Sequence, residues 1–357
     1  MIKSKQRIGN VSAECPKMSK KRQGELLKEK RGERKMKKAM YKVLAPFMVL
    51  LLLMMAACSN GSSDKTSSSA SDSKDKKIKI GLTVGTLSNP FFVSMSKGAK
   101  EAAKELGGEA IVVSADYDLS KQMAQVEDFI TKKVDMILLN AVDSKGIAAA
   151  VQQAKAAGIP VIAVDVGADG GVSATVASDN YLAGKLAGEY LLKRLQNKGN
   201  IAIIDGPPVT AVKDRIKGFE DAIKGTDVKV VAKQNGEGNR EKALTVMENI
   251  LQANSSGKID AVFAINDPEA LGVKIAAEQA KRDKEFFIVG VDGAPEAVDA
   301  LKENKSFVAT SAQHPDEIVK QAVDIGMKII KGEKVESEIK VPVELVTQDT
   351  INSYKGW

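Results

Sequence analysis

The chain has 357 residues, a formal net charge of +7, 43% hydrophobic and 4% aromatic residues, two cysteines and one histidine. The single histidine, His314, speaks against a Ser-His-Asp triad and a histidine metal cluster, and two cysteines assigned to terminal segments leave no disulfide, zinc site or thiol nucleophile for a folded body. The basic balance is local: residues 1–35 carry +8 and residues 36–57 carry +3, which leaves −4 from residue 58 onward and removes support for nucleic-acid binding.

Residues 1–35 hold 12 Lys/Arg against four Glu without apolar periodicity and match no targeting signal; Cys15 lies here. Met36-Lys37-Lys38 opens a secretory n-region of ordinary length, and Arg31-Gly32-Glu33-Arg34 is what a purine-rich ribosome-binding stretch would encode. Met36 therefore reads as the translation start and 1–35 as a mis-assigned upstream extension, with a basic nucleic-acid-binding arm as the alternative. Val43 to Ala57 is an apolar run of 15 residues, shorter than the ~20 needed to span a bilayer. Ala56-Ala57-Cys58 resembles a bacterial lipobox, with Met55 in place of the usual Leu. Residues 36–57 are thus expected to be a lipoprotein signal peptide, and Cys58 the lipidated residue that holds the chain to the outer face of the cell membrane. An ordinary cleaved signal peptide with an incidental cysteine is the alternative. Ser59 to Lys76 is Ser-, Asp- and Lys-rich and reads as a disordered tether.

The remaining 281 residues, Lys77 to Trp357, exceed the length at which one core usually splits. Ile78–Val84 is the first predicted strand. Asn89-Pro90 opens a helix as cap and first residue; Phe92, Met95, Ala99, Ala102 and Leu106 recur at spacings of three and four, and Gly107-Gly108 ends it. Strand 110–114, helix 119–132, strand 136–140, helix 144–157 and strand 160–164 follow, and Met136-Ile137-Leu138-Leu139 has the unbroken apolar character of a strand covered on both faces. The rhythm then restarts with strands 201–204, 228–232, 261–264, 287–289 and 307–310, separated by helices near 181–197, 211–224, 240–254, 268–281 and 294–304. Two such series predict an α/β fold of two similar lobes with parallel sheets, and a cleft between facing carboxyl ends of strands.

Polar residues fall at those strand ends: Asn89, Asp165, Asn266-Asp267, Asp292 and Gln313, with Arg215 early in the helix after Gly206-Pro207-Pro208. Carboxylates accept, Arg donates in a fork, and Asn or Gln does both, a set suited to hydroxyl groups. Helix capping is the competing explanation, and it is preferred for Asp267 and Asp143. Periodicity buries Phe92 in the sheet-facing stripe, whereas Phe91 points elsewhere and suits stacking on an apolar sugar face. No G-x-G-x-x-G follows the first strand and no G-x-x-x-x-G-K-[ST] occurs, so no cofactor and no metal is expected.

Six collinear segments carry a family resemblance: Leu87–Phe92, Val176–Asn180, Asp214–Phe219, Phe263–Asp267, Val289–Gly293 and Ala312–Asp316. Across residues 77–346 the chain resembles the periplasmic sugar-binding proteins of the ribose-binding type. The resemblance implies two Rossmann-like lobes joined by a three-stranded hinge, a type I periplasmic binding protein fold. One lobe would take 77–178 plus 314–344 and the other 179–313 plus 345–357, with crossings near Ser178-Asp179, Gln313-His314 and Glu344. It implies that Asn89, Asp165, Arg215, Asn266, Asp292 and Gln313 bind ligand hydroxyls, and that Phe91 and Phe92 form aromatic walls. Val166 stands where ribose binders have a second arginine, Gly238 and Val291 where they have phenylalanines, and Gly85 where they have a serine; the departures imply a roomier pocket. The implied function is a non-catalytic, monomeric receptor that delivers a monosaccharide or polyol to an ABC permease. A chemoreceptor or histidine-kinase partner is the alternative within binding proteins. Outside them stand a LacI-type regulator, which would need a helix-turn-helix where the leader lies, and an α/β enzyme, which would need a nucleophile or cofactor loop.

Overall fold

The computed structural model describes residues 77–303 and 305–357. The expected start at Met36, the leader to Ala57, the anchor at Cys58 and the tether lie outside the described residues.

The first sheet contains β1 (Lys79–Val84), β2 (Glu109–Ser114), β3 (Met136–Leu139), β4 (Val161–Val164), β5 (Ala174–Ser178) and β11 (Glu338–Val341), in the order β11-β5-β4-β3-β1-β2 and wholly parallel. Helices α1 (Pro90–Glu105), α2 (Leu119–Thr131) and α3 (Ala148–Ala156) are its crossovers. Asn89 starts α1 by accepting the Phe91 N–H at 2.9 Å, and Pro90 follows at the first turn, where a missing N–H is harmless. All four residues of β3 are buried because helices cover both faces. Helix α3 begins four residues later than expected, since Asp143 Oδ1 accepts the N–H groups of Lys145 and Gly146 and holds them in a turn.

The second sheet contains β6 (Lys198–Asp205), β7 (Asp227–Asn235), β8 (Ala261–Ala264), β9 (Phe287–Asp292), β10 (Phe307–Ala312) and β12 (Glu344–Thr347), in the order β12-β10-β9-β8-β6-β7, with only β12 antiparallel. Helices α4 (Asn180–Leu195) and α5 (Thr210–Ile223) cover one face; α6 (Arg240–Ala253), α7 (Asp267–Gln279) and α8 (Pro295–Lys302) cover the other. Glycines let α4 and α5 touch backbone to backbone: a Cβ on Gly184 would lie 1.9 Å from Arg215 O, and one on Gly218 2.0 Å from Tyr181 O. That contact fixes the height of Arg215 along the sheet.

Strands β5, β11 and β12 and helix α9 (Pro315–Ile330) were not among the elements predicted from periodicity. Helix α9 returns to the first lobe, where Ile318, Val319, Ala322 and Val323 join Phe92, Met95 and Ala99 of α1 in one core. The chain thus passes between sheets three times, at 178–180, 312–315 and 341–344. Glu344 already pairs with Ala312 in the second sheet, so the last passage occupies 342–343. The lobes are closed on each other: Gly167 N donates to Thr210 Oγ1 at 2.7 Å, and Val166, Val209 and Val212 belong to one apolar cluster spanning both.

Candidate functional site

A cavity of about 70 Å³ lies between the lobes at the carboxyl ends of β1, β3, β4, β8 and β9. A water needs roughly 10–15 Å³ on this measure, so the space suits a small molecule and excludes a peptide. Of the residues expected to form a site, Asn89, Phe91, Phe92, Asp165, Arg215, Asn266 and Asp292 line it, and Gln313 does not.

The first lobe supplies mostly neutral groups. Phe91 and Phe92 meet edge to face at 5.6 Å and are both buried, although periodicity had turned Phe91 away from the core. Asn140, at the end of β3, accepts the Gly85 N–H at 3.1 Å and donates through Nδ2 to Asp165 Oδ2 at 3.0 Å. Asp165 is 6% exposed, has φ 67°, and its Oδ1 is buried without a partner. Burial pushes its carboxyl up to about 6, against the opposing pull of Arg215 from the other lobe and of Asn140.

The second lobe supplies charge on a braced frame. Arg215 is 5% exposed; Nε donates to Asn180 Oδ1 at 2.7 Å and Nη1 to Ile265 O at 2.9 Å, with Asp292 Oδ1 3.8 Å from Nη1. Burial lifts Asp292 to about 7, moderated by Arg215 and raised further by Asp165. Gln313 is fully buried behind it and donates Nε2 to Asp292 Oδ1 at 2.7 Å, so it orients the carboxylate. Asn266 caps α7, accepting the Glu269 N–H at 2.9 Å, and donates to Gly238 O at 3.1 Å.

Asp267 is not the cap that its position suggested. Its carboxylate accepts Thr310 Oγ1 at 2.7 Å and the Ala294 N–H at 2.8 Å, which ties down the turn carrying Asp292; Asn266, one residue earlier, has taken the capping role. Glu269, wholly buried, accepts the Gly238 N–H at 2.7 Å, and burial drives its carboxyl well above the usual range. A first-turn glutamate ordinarily serves the helix end, so nothing in the sequence announces this, and Asn140 reads there only as the end of a strand.

Tyr117 was missed as well. Asp116 and Tyr117 both have left-handed φ, 51° and 57°, a turn that lays the Tyr117 ring across the cavity mouth. A Cβ on Gly85 would lie 3.0 Å from the Tyr117 ring, and one on Gly238, in the opposite lobe, 3.9 Å from its hydroxyl. The room at Gly85 is therefore taken up by Tyr117, whereas at Gly238 Asn266 and Pro207 of its own lobe lie nearer. Val166 and Val291 are both buried, and Val166 adds an apolar wall.

Two carboxylates from opposite lobes, one guanidinium, several amides and an aromatic face can hold an array of hydroxyls. Among the described residues no group of three His, Cys, Asp or Glu is placed to hold a metal ion. His314 stands at the second passage between lobes, away from the cavity lining.

The family model described as "Periplasmic binding protein domain" matches residues 80–334. The ribose import binding protein RbsB of Bacillus subtilis is 40% identical over 281 residues, 78% of this chain and 90% of that protein. A periplasmic solute-binding protein of an ABC transporter from Actinobacillus succinogenes 130Z, solved with bound D-allose, has 34% identity and a TM-score of 0.73 over 78% of this chain and 100% of that one. A solute-binding protein from Bacillus halodurans C-125, solved with bound myo-inositol, gives 33% and 0.73 over 78% and 97%. Two parallel-dominated lobes, three passages between them and an interlobe cavity agree with these matches along nearly the whole described chain: it belongs to the periplasmic binding protein family.

Proposed function

We propose that the cavity takes a monosaccharide or a polyol of similar size, and that the chain hands this cargo to an ABC importer. The observation that carries the reading is Asp165 Oδ1, a buried acceptor without a protein partner on a residue that lines the cavity. An unpaired buried group costs about 1–3 kcal/mol, which a ligand hydroxyl donating to it would recover. Asn89, Phe91, Phe92, Asp165, Arg215, Asn266 and Asp292 are assigned to the ligand, Tyr117 and Asn140 are added to them, and Gln313 is the orienting partner of Asp292. The relatives above import ribose or were solved with D-allose or myo-inositol, all polyhydroxylated and of similar size. The chain works as a receptor: closure brings both lobes' donors and acceptors onto the ligand, and the closed monomer meets the permease.

Calorimetric titration with D-ribose, D-allose and myo-inositol tests this. At least one should bind, and Asp165→Ala should weaken it by roughly ten- to several-hundred-fold. Binding of none, or unchanged affinity in the variant, rejects the reading. Cys58 is the proposed lipid anchor, supported by the Ala56-Ala57-Cys58 pattern after an apolar run; fatty-acid labelling that persists in Cys58→Ala would remove it.

A further inference from the structure

Beyond β12 the chain makes a short 3₁₀ turn, Ile351–Ser353, and then runs back toward the cleft. Three side chains of this segment are anchored. Ile351 is buried in the second lobe's core, and the Tyr354 hydroxyl donates to Gly293 O at 3.1 Å. Trp357 donates its indole N–H to Asp292 O at 3.0 Å. The same indole meets the Phe91 ring of the first lobe edge to face, 6.1 Å between centroids at 88°. Phe91 in turn meets Phe92, so three rings run in series from the second lobe into the aromatic wall of the cavity.

The position it grips is unusual. Asp292 has φ 140°, a conformation L-residues rarely adopt, and needs its surroundings to hold it there. Its carbonyl accepts two donors, Gln313 N at 2.8 Å and the Trp357 indole, while Gly293 N donates to Thr310 Oγ1 at 3.2 Å. The indole contributes to that hold from one side and rests on Phe91 with the other. Its bond to Asp292 lies within the second lobe. Its contact with Phe91 joins the second lobe to the first.

We infer that Trp357 is a positioning residue and interlobe latch: it fixes the backbone of Asp292 and, by seating on Phe91 in the closed form alone, sets how long a bound ligand stays. The inference rests on the reading of the cavity as a sugar or polyol site. A contact made only after closure acts on opening, hence on dissociation more than on association. The aromatic edge contact, the part that opening breaks, corresponds to about a two- to tenfold change in dissociation rate.

The experiment uses the full chain and stopped-flow measurement of association and dissociation with D-ribose, D-allose and myo-inositol. Trp357 is the sole tryptophan, so its emission reports closure in the wild type, and a dye on an introduced surface cysteine reports it in all variants. Trp357→Ala should speed dissociation about two- to tenfold with association changed less than about twofold, and Trp357→Phe, which keeps a ring but no N–H, should fall between. A residue that merely supported the second lobe would lower the ligand-free melting temperature and leave the dissociation rate alone. Unchanged dissociation in Trp357→Ala, with the wild type binding normally, overturns the latch by itself. Failure of the wild type to bind all three ligands overturns the functional reading and the latch with it.

Discussion

The two walls of the cleft are built on different principles. The second lobe's wall is braced within its own lobe: Arg215 is bonded to Asn180 and Ile265, Asp292 to Gln313, Asp267 to Thr310 and Ala294, and Asn266 to Glu269 and Gly238. The first lobe's wall is three aromatic rings and two amides around one carboxylate whose Oδ1 has no partner. Both sides carry apolar lining, but the second lobe adds a braced charge frame and the first adds aromatic rings and an open acceptor. In such a pair the frame sets the orientation of polar groups cheaply, because their reorganisation is already complete, and the aromatic side supplies shape.

The largest way to break this contrast is to remove the guanidinium. Arg215→Ala leaves two buried carboxylates without their shared counter-charge and frees Asn180 and Ile265 O. It should weaken binding by about a hundredfold or more and lower ligand-free stability by about 3–5 kcal/mol, measured by titration and melting. Loss of affinity with full stability would mean that the frame is not a brace.

Titration sharpens the contrast next. Asp165 at about 6 and Asp292 at about 7 both hold a proton more tightly in the closed cleft than in a solvated chain near 3.8. Their contribution to ligand-free stability is full below about pH 4 and is lost as pH rises through about 6 and about 7. The melting temperature between pH 4 and pH 8 should therefore fall, and it should fall less in Asp165→Asn, which has no charge to bury. Parallel curves for the two proteins would show that Asp165 is solvated.

The smallest effect concerns the mouth. Tyr117→Phe should change affinity by about threefold or less, whereas Tyr117→Ala should cost about tenfold and relax discrimination between D-ribose and myo-inositol. Equal behaviour of the two variants would place the work in the hydroxyl and not in the ring.

Sequence reading served these regions unequally. Strand ends are visible as polar residues after apolar runs, so Asp165, Asn266 and Asp292 could be picked out, and so could the Asn-Pro start of α1. Which member of Asn266-Asp267 caps the helix and which reaches into a neighbouring turn depends on where Ala294 and Thr310 arrive, more than 25 residues later. Tyr117 depends on two consecutive left-handed residues, neither of them glycine, and Glu269 on a turn that folds over it. Strand β5, Ala-Thr-Val-Ala-Ser, is too small and polar to stand out, and β11 and β12 are four residues each. Helix α9 is different: Ile318, Val319, Ala322 and Val323 after Pro315 carry a full amphipathic signal that is legible in the sequence.

The threefold passage between lobes has a consequence for how the molecule comes into being. β5 has β11 as one of its neighbours, and α1 is roofed by α9, so the first lobe is assembled from both ends of a chain that makes the second lobe in between. During vectorial synthesis the core around α1 stays incomplete until α9, some 220 residues later, has followed. The first lobe can therefore complete its core only after the second lobe's strands have been made.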